Sequence, residues 1–239
     1  VHILAIENDR NCPIGVVGNK LRALGAELRV LNLLQNHDAI PRNVLRRYNG
    51  LVVLGGAMGA YDDEVYPDIP RVLDLIDQFH QARKPVMGLC LGGQLLARYL
   101  GQPVLADSCE EIGFVPVHVT EAGKRDVLFE GGVEHWSPVE WHHDSLQLPA
   151  GAELLVTGES CRNQGFRAGY ASYGFQFHPE MDADILSTLY HNTEGDYRLG
   201  LSAEGRDKLE QMMRQISEAI EPAEDMGKQI TSRWLSLCH

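Results

Sequence analysis

The chain has 239 residues and a formal net charge of −12, from 33 acidic and 21 basic side chains. Apolar residues make up 44% and charged ones 23%, the composition of a chain that buries a core and not of a disordered one. So acidic a surface repels phosphate backbones and anionic lipid, which excludes nucleic acid and membrane as expected partners.

The first residues, "VHILAIENDR", lack the basic and apolar regions of a signal peptide. "HILAI" (2–6) reads as a short strand. Val16, Val17, Leu21 and Leu24 then give a helical pattern between Gly15 and Gly25, and "AELRVLNL" reads as a second strand. Strand, helix and strand with short connections predict a parallel sheet. "YNGLVVLGGAMGAY" (48–61) is a buried strand running into a glycine-rich loop. Ile69, Val72, Leu73, Ile76 and Phe79 place a helix from Pro67 to about Arg83. "KPVMGLC" is the next strand, and "LGGQLLARYLG" a helix closed by Gly101. From about 103 to 180 short alternating strands are broken by Gly and Pro. Beyond 182 the pattern is helical again: Leu209, Met212, Met213, Ile216 and Ile220 form a stripe after a candidate cap at Ser202. Pro222 is expected to break that helix, with Met226, Ile230, Trp234 and Leu237 on a last one.

The expected fold is therefore α/β: an open, mostly parallel, doubly wound sheet with helices on both faces and a ligand at the carboxyl ends of the strands. A single domain is expected over 1–239, with a core of about 1–190 and a C-terminal helical extension of about 191–239. Five cysteines form no CxxC pair and no apolar run approaches the roughly 20 residues that span a bilayer, so a cytoplasmic protein is expected.

"GLCLGGQLLA" (88–97) puts Cys90 between a strand and a helix, with Gly88 and Gly92 two residues to either side. A nucleophile on a sharp strand-to-helix turn needs small neighbours. The helix N-terminus would favour the reactive thiolate, and the N–H of Leu91 would face a developing oxyanion. Taken alone, the pattern reads equally well as a small core thiol among permissive glycines. "GFQFHPE" (174–180) supplies the complement. His178 and Glu180, two apart at the end of an expected strand, share a face as a base and the carboxylate that orients it. Gly56, in the loop after the 51–54 strand, offers a second oxyanion donor; no G-K-[ST] follows, so the loop is not a phosphate-binding one. Adjacent His142 and His143 argue against a metal site, because neither has a cysteine or carboxylate at familiar spacing.

These three segments in this order resemble the class I, triad-type glutamine amidotransferases, most closely the domain found in GMP and anthranilate synthases. The resemblance covers roughly residues 45 to 190. It implies that Cys90 attacks the side-chain amide of glutamine, that His178 moves the proton and Glu180 orients His178, and that Gly56 and Leu91 form the oxyanion hole. It also implies that Gln94 helps hold the substrate and that no cofactor or metal is needed. "EWHHDSL" (140–146) resembles the family's W-x-S-H-G-D segment, which binds the substrate's α-amino and α-carboxylate ends. His143 and Asp144 are therefore substrate-binding candidates. His143 stands where the family has glycine, which changes the pocket and opens the alternative of a γ-glutamyl peptide or amine as substrate. No "SGGxDS" element occurs in these 239 residues, and no synthase domain is expected within them. A separate ammonia-accepting protein is thus the expected partner of an amidotransferase, and none is needed for a γ-glutamyl hydrolase.

Overall fold

The computed structural model describes residues 1–33, 37–192 and 202–239. In chain order the first elements are β1 (His2–Ile6), α1 (Gly15–Ala23), β2 (Glu27–Leu31), α2 (Val44–Arg47), β3 (Gly50–Val53), α3 (Ile69–Gln81), β4 (Val86–Leu89) and α4 (Leu91–Tyr99). Short strands follow: β5 (Val104–Leu105), β6 (Glu111–Phe114), β7 (Val117–Val119), β8 (His135–Trp136), β9 (Val139–His142), β10 (Ser145–Leu146), β11 (Glu153–Gly158), β12 (Gly165–Ala168) and β13 (Ser172–Phe175). The chain ends with α5 (Ala183–Asn192) and α6 (Ala203–Leu235).

Among the described residues the main sheet runs β2-β1-β3-β4-β13-β12-β11-β7-β8. The first five strands pair in parallel, as expected, and carry the site; beyond β13 the sheet continues antiparallel. Two small ribbons, β5–β10 and β6–β9, stand apart from it.

Period-two alternation divides the parallel strands between two layers. Ile3, Ala5, Val52 and Met87 face α1 and the C-terminal half of α6, where Val17, Leu21, Ile230 and Trp234 are buried. Leu4, Ile6, Leu51 and Val53 face α3 and α4, through Val72, Ile76, Phe79 and Leu95. A third cluster joins Ile112 and Val139 to Met181, Leu186, Leu209 and Met212. Leu24, assigned to the first helix from the sequence, lies past its end and is exposed.

The expected break at Pro222 does not occur: α6 continues through it to Leu235. Proline in a helix interior costs about 3 kcal/mol. Here both halves are anchored, Leu209 and Met212 in the third cluster, Met226, Ile230 and Trp234 against the sheet, and that burial outweighs the cost. Ser202 caps this helix as expected, its Oγ accepting from the Gly205 N–H.

Candidate active site

Strand β4 ends at Leu89 and α4 starts at Leu91, leaving Cys90 on the turn with φ 48° and ψ −109°. Such a conformation costs a non-glycine residue about 1–3 kcal/mol and needs a surrounding structure that enforces it. Close backbone approach provides it. A Cβ on Gly92 would lie 2.0 Å from the Val53 carbonyl oxygen, one on Gly93 2.5 Å from that of Phe175, and one on Gly88 2.4 Å from that of Gly92. The Cys90 N–H donates to Phe175 O at 2.8 Å, tying the turn to β13.

His178 and Glu180 lie beyond β13, which ends at Phe175 rather than running through to the histidine. Their pairing comes from a turn. The His178 N–H donates to Val139 O, and the imidazole Nδ1 sits 2.7 Å from Glu180 Oε1 with both side chains buried. The Glu180 carbonyl accepts from Val16 N–H at the start of α1. Burial alone would lower the His178 pKa, but the charges of Glu180 and Cys90 outweigh it and hold it well above the ordinary histidine value. Nε2 is buried and has no well-formed hydrogen bond. Gly55 covers the pair: a Cβ there would stand 3.1 Å from His178 Cε1 and 3.6 Å from Cys90 Cβ.

Cys90 opens into a cleft of about 450 Å³ that is also lined by Gly56, Gln94, His143 and Asp144. Leu91 occupies the first position of α4, its side chain against Gly56, so the two expected oxyanion donors are neighbours. Gln94 donates from Nε2 to the Asp144 carbonyl at 3.3 Å. The Asp144 carboxylate is held by the Tyr61 hydroxyl and the Asp107 N–H, while His143 Nδ1 lies 3.4 Å from Glu110 and is partly exposed. A cleft of similar volume between α1 and α6, lined by Lys20, Asp184 and Lys228 among others, has no cysteine, serine or histidine in its lining.

Several site residues escaped the sequence reading. Gln176 Nε2 lies 3.9 Å from Cys90 Sγ, while its Oε1 accepts from Leu146 N–H. Tyr61 and Asp107 are in the cleft wall. His142 is buried with Glu111 and Glu140, its Nε2 at 3.1 and 3.3 Å from their Oε2 atoms. The sequence argument found no carboxylate partner for His142; the fold supplies two. Glu140 was legible, since alternation along β9 puts it on the His142 face. Glu111 comes from β6, opposite His142 in register. Burial would lower the His142 pKa, but contacts with Glu111 and Glu140 push it up to about 10. Burial likewise pushes the Glu140 carboxyl up, against the opposing pull of His142. One ligand atom from each of Glu111, Glu140 and His142 lies within 4.8 Å of the others, and the same holds for Cys109, Glu111 and Cys161.

Residues 15–190 match the family model described as glutamine amidotransferase class-I. The chain is 32% identical over 160 residues to the glutamine amidotransferase-like protein YfeJ of Salmonella typhimurium, covering 66% of each. It is 26% identical to a glutamine-hydrolyzing GMP synthase subunit of Methanocaldococcus jannaschii, covering 74% of this chain and 85% of that one. It is 27% identical to gamma-glutamyl peptidase 3 of Arabidopsis thaliana, covering 60% and 59%. The chain thus spans 66% of the length of YfeJ and 59% of that of the peptidase. A solved glutamine amidotransferase from Thermotoga maritima superposes with a TM-score of 0.82 at 27% identity over 98% of both chains. One from Methylobacillus flagellatus gives 0.83 at 27% identity, covering 100% of this chain and 95% of that one. A cysteine elbow at the carboxyl edge of a parallel sheet, a family match across most of the chain and these neighbours lead to one assignment: the protein belongs to the class I glutamine amidotransferases.

Proposed function

We propose that this chain hydrolyses the side-chain amide of glutamine, or of a γ-glutamyl compound, through a Cys90 thioester. The observation that carries the proposal is the Cys90 elbow beside the buried His178–Glu180 pair at 2.7 Å, on a cleft of a size that accepts one small amino acid. Cys90, its proton held on His178 Nε2, attacks the amide carbon. The resulting oxyanion is stabilised by the Gly56 and Leu91 N–H groups. His178 then protonates the leaving nitrogen, which departs as ammonia or an amine and leaves a glutamyl thioester. Water, deprotonated by His178, attacks the thioester; Cys90 leaves as thiolate, and glutamate is released. Glu180 keeps the imidazole oriented and stabilises its charged form throughout. Gln94, His143 and Asp144 hold the amino-acid end of the substrate.

The named relatives support two versions of this chemistry. The GMP synthase relative favours glutamine with ammonia passed to a separate synthase. Gamma-glutamyl peptidase 3 favours a γ-glutamyl peptide. The second version gains weight from His143, a bulky side chain in the cleft wall at a position where the family has glycine. Glutamate release from glutamine and from a γ-glutamyl dipeptide, with Cys90→Ala as control, tests both. Turnover abolished by the substitution supports the mechanism, and the preferred substrate selects the version. Unchanged turnover in Cys90→Ala refutes the mechanism.

A further inference from the structure

Behind the cleft wall lies a polar cluster that amide hydrolysis does not use. Antiparallel pairing of β6 with β9 sets Glu111 opposite His142, and Glu140 projects from the same face of β9. All three side chains are buried. His142 Nδ1 lies 3.0 Å from the Asp144 carbonyl oxygen, which can only accept, so Nδ1 carries a hydrogen. Nε2 then points between the two carboxylates, with either a second proton or a free lone pair.

Two observations favour a lone pair directed at a cation. Glu140 has no exposed surface, and neither of its oxygens has a hydrogen-bond partner. His142 Nε2 approaches Oε2 at 3.3 Å but off the axis of a hydrogen bond. An ionised carboxylate so placed is unsatisfied without a cation beside it. The surroundings match the outer contacts that orient metal ligands. Besides the His142–Asp144 bond, Gln164 Nε2 donates to Glu111 Oε2 at 2.6 Å and Cys161 N–H to Glu111 Oε1 at 3.3 Å.

We propose that Glu111, Glu140 and His142 bind a zinc-class divalent cation that stiffens the β6–β9 wall behind the Cys90 cleft. The imidazole donor among the three ligands selects a borderline-soft ion over magnesium or calcium. The cation touches no reacting atom. It fixes His142, and through its neighbour Asp144 the segment that Gln94 bonds.

The test is equilibrium dialysis of the chelator-treated protein against Zn²⁺, in a Cys90→Ala background so that the catalytic thiol adds no site. We expect one equivalent per chain, affinity weakened about tenfold or more by Glu140→Gln, and a zinc-dependent rise in Tm that this variant loses. Absence of bound zinc, or unchanged affinity in a folded Glu140→Gln protein, overturns the proposal. Should that variant not fold, Co²⁺ bound to the parent decides. Visible bands of nitrogen and oxygen ligation support the site; a sulfur-to-cobalt charge-transfer band puts the ion on Cys109 and Cys161 and refutes it.

Discussion

At residue scale the site depends on two costly placements, one of backbone and one of charge. Cys90 is held at positive φ by glycines whose missing Cβ atoms let β3, β4, β13 and α4 converge. His178 is buried, and the negative charges of Glu180 and Cys90 keep its imidazole protonated well above the ordinary value. This fixes the sign of a pH effect. The imidazolium that protonates the leaving nitrogen is lost as pH rises through the folded pKa, so the alkaline limb of kcat/KM should fall well above pH 6.5. Glu180→Gln removes the charge that raises it. The limb should then move toward acid, with kcat down about 10²-fold or more. A pH–rate profile in which the limb stays put would refute the role given to Glu180. Gly92→Ala tests the other placement. A methyl 2.0 Å from Val53 O forces β3 and α4 apart, and activity should fall by about 10²-fold or more while the protein still folds, as read by circular dichroism.

At the scale of elements, α6 is part of the active-site support. A Cβ on Gly227 would stand 2.1 Å from Pro179 O, and one on Gly15 2.2 Å from Glu180 O, so α6 and α1 grip the His178–Glu180 turn from two sides. Gly227→Ala should cost about 1–3 kcal/mol of stability and lower kcat more than it raises KM. Ala223→Gly, one turn earlier, should cost stability without lowering kcat. Equal effects of the two on kcat would mean that α6 merely packs. The helix also bears on what was legible in the sequence. The elbow could be read because its rules are local: a strand, a small-flanked cysteine, a helix. The same holds for β1, β3 and α3, whose apolar run or 3.6 period lies within one element. Continuity through Pro222 could not, because it is decided by Met226, Ile230 and Trp234 docking on strands far away in sequence. His178 and Glu180 were rightly paired for an incorrect reason, since the chain leaves β13 at Phe175 and a turn joins them. Glu111 was invisible because its partner is set by β6–β9 register. Local rules also predict that Pro222→Ala, which restores a helical N–H, raises stability by about 1–2 kcal/mol, the gain offset in part by a freer unfolded chain. A lower Tm in this variant would show that α6 needs a feature specific to proline at that point.

For the whole molecule, the sheet is clamped between α3 and α4 on one face and α1 and α6 on the other, and the cleft lies where the parallel strands end. Trp234 closes the second layer. It is fully buried, and a Cβ on Gly50 would stand 2.8 Å from its ring, so α6 packs directly on the start of β3. The other end of β3 leads into Gly55 and Gly56 in the cleft. Trp234→Ala leaves a cavity under the strand and should cost about 3–5 kcal/mol. Part of that is returned because the indole N–H is buried without a partner and its removal relieves an unsatisfied donor, so the lower end is expected. For a chain of this length that corresponds to a fall in Tm of roughly 6–12 °C. Because β3 is held on both sides by β1 and β4, the cleft should keep its shape while folded. Activity per folded molecule, counted by titrating Cys90 with a thiol reagent, should then stay within about twofold of the parent below the transition, a limit of roughly 0.4 kcal/mol on the barrier. A roughly tenfold loss per titrated site, with the fold intact, would mean instead that α6 sets the position of β3 and, through it, of the Gly56 loop.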